Sequence, residues 1–238
     1  MRLLVSVANA DEVPEALAGG ADLIDAKDPL AGALGAVAMP MLRGIVAGAG
    51  GARPVTAAIG DASDEDAIER TAGAFAAAGA ALVKVGFAGI TSPARVTALA
   101  FAARRGVSAG NAGVILVAYA DADSGASITP AALVDVAARA GARGVLLDTA
   151  DKDGPGLRAL VAPAALTAWV AHAHESGLLV ALAGRLAAGD FAFVRDAGAD
   201  IAGVRGAACE GARTGRVSSE LVRHLRGLCE DAAVARAV

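Results

Sequence analysis

The stretch Ala18-Gly19-Gly20-Ala21-Asp22-Leu23-Ile24-Asp25-Ala26-Lys27-Asp28-Pro29 ends one element and launches another. A glycine suits the left-handed backbone position just past a helix, and Leu23 to Ala26 reads as a short buried strand. Variants recur along the chain as Ala-Ala-Gly-Ala at 77–80, Arg-Ala-Gly-Ala at 139–142 and Asp-Ala-Gly-Ala at 196–199. Their glycines, at 20, 79, 141 and 198, lie 59, 62 and 57 residues apart, room for two strand–helix units per period. Four such periods make eight strands.

The apolar pattern agrees. Candidate strands cover residues 3–8, 23–26, 55–59, 82–85, 114–118, 145–147, 179–183 and 201–204. Helical patterns rich in Ala and Leu cover 38–47, 64–78, 93–104, 130–140, 163–176, 191–197 and 218–235. Eight strands alternating with helices is the arithmetic of a closed (β/α)8 TIM barrel, expected here as one catalytic domain over residues 1–238. Strands without polar alternation fit a parallel sheet buried on both faces. An open Rossmann-like sheet is the rival, but Gly48-Ala49-Gly50-Gly51 precedes a strand instead of following one. The dinucleotide fingerprint lacks its required context.

The repeat also aligns side chains. Five residues past the four glycines stand Asp25, Lys84, Leu146 and Gly203; seven past stand Lys27, Gly86, Asp148 and Arg205. The two offsets share parity, so both sets face the same way along their strands. The spacing therefore predicts Asp25, Lys27, Lys84, Asp148 and Arg205 in one barrel mouth, with Lys152 on the rim just beyond strand six.

Composition narrows the chemistry. Of 21 Lys and Arg residues only Lys27, Lys84 and Lys152 are lysine. Arginine serves wherever a surface needs a cation, as a GC-rich coding bias produces. Arginine cannot lose its proton in a protein and so cannot act as an amine nucleophile; lysine can. All three lysines fall at carboxyl ends of strands, where barrels place their reacting groups. Desolvation or a neighbouring cation lowers a lysine's pKa and frees the amine to attack a carbonyl. Lys84 is a candidate for that cation, or for a base and proton shuttle, and Asp25 and Asp148 can pass protons or balance charge. A salt-bridged barrel floor is the structural alternative. Glycine and arginine in Ala183-Gly184-Arg185 and Arg205-Gly206-Ala207 suit a phosphate after strands seven and eight. Tyr119, Asp121 and Asp61 are further rim candidates.

Several classes fall away. The apolar fraction is 55% and the mean hydropathy +0.54, but no run approaches the ~20 apolar residues of a spanning helix. Residues 1–8 run straight into Asp11-Glu12, too short for a signal peptide. Cys209 and Cys229 have no metal or redox spacing, so a cytoplasmic location is expected. A net charge of −4 gives no footprint for nucleic acid. His172 and His174 diverge on a helix, and no metal or cofactor motif is present. Homo-oligomer formation is left open.

At these residues the chain resembles the (5-formylfuran-3-yl)methyl phosphate synthases of methanofuran-type cofactor biosynthesis. The shared stretches include Asp25-Ala26-Lys27-Asp28-Pro29, Val83-Lys84-Val85-Gly86, Tyr119-Ala120-Asp121-Ala122, Leu147-Asp148-Thr149-Ala150 through Lys152-Asp153-Gly154, and Gly203-Val204-Arg205-Gly206-Ala207-Ala208-Cys209. The resemblance implies a barrel lyase that condenses two glyceraldehyde 3-phosphate molecules, losing phosphate and water, without a cofactor. It implies Lys27 as the Schiff-base lysine and Lys84 as a proton acceptor, with Asp25, Asp148 and Lys152 assisting. One triose phosphate is expected to isomerise to the ketone, form the imine and add to the second aldehyde, with the order of steps open. The composition points to a GC-rich bacterium and a methanofuran-like one-carbon carrier. The alternatives are an ordinary class I aldolase acting on a sugar phosphate and a non-catalytic sugar-phosphate-binding barrel.

Overall fold

The structure is a computed structural model, which describes residues 1–122 and 127–230. Its parallel strands are β1 (Arg2–Val7), β2 (Leu23–Ala26), β3 (Val55–Asp61), β4 (Leu82–Gly86), β5 (Gly113–Tyr119), β6 (Gly144–Asp148), β7 (Leu179–Leu182) and β8 (Ile201–Val204). They hydrogen-bond in chain order and close into a barrel, with β8 back against β1 in the register Arg2↔Ile201 to Val5↔Val204. The helices are α1 (Val13–Ala18), α2 (Met39–Ala49), α3 (Glu65–Ala77), α4 (Pro93–Gly106), α5 (Pro130–Ala140), α6 (Leu157–Leu160), α7 (Pro163–Glu175), α8 (Phe191–Asp196) and α9 (Ser219–Leu228). The TIM barrel expected from the repeat is the fold observed. Among the described residues, no helix is long and apolar enough to cross a membrane.

Local chemistry explains the boundaries. Asp64, Ser92 and Thr129 cap α3, α4 and α5 by accepting from the N–H three residues on. Pro93, Pro130 and Pro163 open their helices, where the missing N–H costs nothing. The four repeat glycines all have positive φ, at 87°, 104°, 65° and 86° for residues 20, 79, 141 and 198. A side chain there would strain the turn from each helix into its strand.

Three differences from the sequence reading stand out. The six-residue α1 and four-residue α6 were not expected, being too short to show a helical period. Helix α9 stops at Leu228, not 235, where Cys229 takes the cap position; residues 231–235 lie outside the described residues. Strands β3, β5 and β6 run on to Asp61, Tyr119 and Asp148, so polar residues finish them at the mouth.

The barrel interior is layered. Leu4, Leu23 and Ile201 form one apolar cluster inside it, and Ala58, Ile115, Val117 and Leu146 belong to a second. Interleaved with the second cluster are the polar inward residues Ser6, Asp25, Thr56 and Lys84. Lys27 and Asp148 crown them, and all six are buried. Outside the barrel a larger apolar core packs the strands' outward residues against the helices.

Candidate active site

Asp25 is completely buried on β2, and its carboxylate takes three side-chain donors. Thr56 on β3 donates to Oδ1 at 2.7 Å, Ser6 on β1 to Oδ2 at 2.8 Å, and Lys84 on β4 to Oδ2 at 2.6 Å. A buried carboxylate needs such satisfaction to remain ionised. Ser6 and Thr56 escaped the sequence reading, although their inward parity was a usable signal.

A second ion pair sits across the mouth. Asp148 ends β6 and accepts from Lys152 Nζ at 2.7 Å and from the Thr149 N–H at 2.8 Å. Lys152 also donates to the Thr149 carbonyl and, at 3.3 Å, to its hydroxyl. Burial raises the Asp148 pKa, but Lys27, Lys152 and the hydrogen bonds outweigh it and hold the carboxyl below its usual value. The loop carrying Lys152 is fixed by Asp121, which accepts from the N–H groups of Ala150 at 2.7 Å and Asp151 at 2.8 Å.

Lys27 is the remaining amine. It is 9% exposed and lines the cavity. Its Nζ has no hydrogen bond or ion pair among the described residues, since Asp25 is committed to Lys84 and Asp148 to Lys152. Burial lowers its pKa to about 8, against a raising pull from Asp148 and with further lowering from Lys84 and Lys152. A group titrating there is neutral in roughly one molecule in ten at pH 7, against well under one in a thousand for an ordinary lysine. The sequence reading set Asp25 beside Lys27; the barrel instead gives that carboxylate to Lys84, 59 residues further on.

The cavity measures about 830 Å³, ample for a small phosphorylated metabolite. Lys27, Lys84, Asp148, Lys152, Gly184, Arg185, Arg205, Gly206 and Ala207 all line it. Gly206 begins a turn of 3-10 helix, whose leading N–H groups lack partners within that turn. Arg185 is exposed, holds a left-handed φ of 55° and donates to the Gly154 carbonyl. A non-glycine residue in that region is uncommon.

Arg205 departs from its expected role. Its two terminal nitrogens chelate buried Glu12 and also donate to the Ser6 carbonyl at 3.0 Å and the Gly215 carbonyl at 2.8 Å. Its Nε donates to the Arg213 carbonyl at 2.9 Å. A guanidinium has five N–H donors, and five hydrogen bonds engage them, so none is left for a phosphate. Glu12 and Arg213 were not singled out in the sequence, because nothing local marks either as part of the mouth.

On the opposite rim Tyr119 donates to Asp61 Oδ1 at 2.9 Å, and the Ala88 N–H donates to the same oxygen at 3.0 Å. Burial and the Asp61 charge push the phenol well above its usual pKa, so it stays protonated. Both residues sit where the rim reading put them.

Fold and site together define a TIM-barrel enzyme with an amine-and-carboxylate centre at the carboxyl ends of its strands, the face that carries barrel active sites. The family model for 4-HFC-P synthase matches residues 3–226, and the chain belongs to that family. It is 40% identical over 229 residues to the (5-formylfuran-3-yl)methyl phosphate synthase of Methanopyrus kandleri, covering 94% of this chain and 97% of that one. The synthase of the same name from Methanocaldococcus jannaschii is 37% identical over 235 residues, covering 97% and 100%. Among solved structures, a 3-hexulose-6-phosphate synthase matches 97% of this chain and all of its own with a TM-score of 0.63. At 21% identity that likeness speaks for the barrel alone.

Proposed function

We propose that this protein makes (5-formylfuran-3-yl)methyl phosphate from two molecules of glyceraldehyde 3-phosphate, using Lys27 as an imine-forming amine. The observation that carries the reading is the arithmetic of charge in the mouth. Of the three lysines there, Lys84 is paired with Asp25 and Lys152 with Asp148, and the amine left unpaired is the one whose proton burial weakens.

The product's skeleton dictates which carbons join. The ring carbon bearing the phosphomethyl group corresponds to the ketone carbon of dihydroxyacetone phosphate, the isomer of one triose. The ring carbon next to it, on the side of the formyl group, corresponds to C3 of the other triose, which gave up its phosphate. The imine therefore belongs on the aldehyde of the triose that loses phosphate, which revises the expected sequence in which the ketone holds the imine.

Neutral Lys27 adds to C1 of that aldehyde and water leaves, giving an iminium that acidifies C2. Removal of the C2 proton gives an enamine, and phosphate departs from C3. The resulting enol attacks the ketone carbon of dihydroxyacetone phosphate through C3. The ketone's own hydroxymethyl oxygen then closes the ring. Two molecules of water leave the ring as it becomes aromatic, and the water lost in forming the imine is returned on its hydrolysis. The net change is two triose phosphates to one furan, one phosphate and two waters. The Asp25–Lys84 and Asp148–Lys152 pairs are assigned the proton transfers on the two sides of the imine.

Borohydride reduction in the presence of glyceraldehyde 3-phosphate tests this. Mass spectrometry is expected to find the adduct on Lys27, with an ultraviolet-absorbing furan formed when reductant is omitted. No adduct on any lysine would turn the reading toward a binding barrel. An adduct with an open ketose phosphate as product would turn it toward an ordinary aldolase.

A further inference from the structure

Three guanidinium groups line the mouth, and they differ in what they have left to offer. Arg205 has every N–H engaged, as described. Arg185 is exposed and reaches back to the Gly154 carbonyl of its neighbouring loop. Arg213 stands on the loop after β8 and is half-buried against the cavity. One terminal nitrogen donates to the Gly32 carbonyl at 2.8 Å. Its Nε is buried and has no hydrogen-bond partner in the structure.

An unmade hydrogen bond on a buried cationic nitrogen is costly, and an anion that completes it regains that cost. The Arg213 backbone is itself held in place, because its carbonyl accepts from Arg205 Nε and Arg205 is clamped by Glu12. The side chain also bridges two loops, since Gly32 belongs to the segment after β2 that follows Lys27. Asp148 is foremost among the negative charges acting on it, with Asp153 and Asp28 behind. It thus faces the same space as the reacting lysines.

We infer that Arg213 is the substrate-specificity residue of the mouth: its Nε–H and free terminal N–H groups take the phosphate of a triose phosphate held near Lys27. This rests on the proposed function for the identity of the ligand, but the recognition itself needs only a small phosphomonoester. A guanidinium edge offers two parallel donors to a phosphate, which lysine cannot reproduce. Arg205, the sequence-expected phosphate ligand, instead supports the loop that presents Arg213.

The test separates recognition from chemistry. Glycerol 3-phosphate has no carbonyl and cannot form an imine, so its calorimetric binding reports the phosphate site alone. Arg213→Ala is expected to weaken it by about 10- to 100-fold, the loss of one or two charged hydrogen bonds. Arg213→Lys recovers only part of that loss. Borohydride trapping of unphosphorylated glyceraldehyde on Lys27 stays at the wild-type level in both variants. The same affinity for glycerol 3-phosphate in wild type and Arg213→Ala would overturn the inference while leaving furan synthesis standing. An equal loss of trapping with phosphorylated and unphosphorylated aldehyde would also overturn it, by showing Arg213 to be a loop strap. Conversely, phosphate-selective weakening in a protein that forms no furan would uphold Arg213 and remove the proposed reaction.

Discussion

Lys27 titrates at about 8 because the barrel withdraws it from water and leaves it without a counter-ion. In the proposed reaction the neutral amine is the reacting form, so kcat/KM is expected to rise with pH and level off above about 8, read from a pH–rate profile. Lys27→Arg keeps the charge and removes the proposed nucleophile, and turnover is expected to vanish. Lys27→Met tests the stability side. The folded pKa lies below the unfolded value, so the unfolded chain holds more protons across the window from about 8 to 10.5. Stability therefore gains as pH rises through that window, and the full penalty applies below it. Lys27→Met removes the penalty, and its thermal midpoint at pH 7 is expected to exceed that of wild type. The three amines were legible in the sequence because lysine is so rare here and the repeat puts Lys84 and Lys27 at inward-facing offsets two residues apart. Their partners were not, since Asp25 satisfies Lys84 from two strands away rather than its near neighbour.

At the scale of elements, the carboxyl end of β4 shows how tightly the rim is built. A Cβ on Gly86 would lie 2.2 Å from Asp61 Oδ1 and 2.6 Å from the Tyr119 hydroxyl. Gly86→Ala must therefore open the Tyr119–Asp61 contact between β5 and β3. Overpacking of this kind costs about 1–3 kcal/mol, measurable by urea unfolding. Strands and long helices were readable because their apolar period runs for enough residues to be seen. Helix α1 was not, since its six residues include Pro14 and complete fewer than two turns. The same holds for α6, which follows Gly154-Pro155-Gly156 and reads as a turn.

Across the whole molecule, closure of β8 onto β1 brings Arg205 to Glu12, 193 residues earlier. Their side chains are 8% and 4% exposed, so each is a poor match for its surroundings without the other. Glu12→Ala leaves the guanidinium buried and uncompensated, and is expected to cost about 3–5 kcal/mol in unfolding free energy. By itself the sequence determined the barrel, its eight strands and the inward face that gathers Lys27, Lys84, Asp25 and Asp148. Those follow from periodicity, which is local and repeats. Tertiary structure alone decided which lysine lacks a partner and which arginine keeps free donors. Lys152 meets Asp148 only four residues away, but the contacts that commit Asp25 to Lys84 and Arg205 to Glu12 join residues 59 and 193 positions apart, and no short-range pattern encodes those.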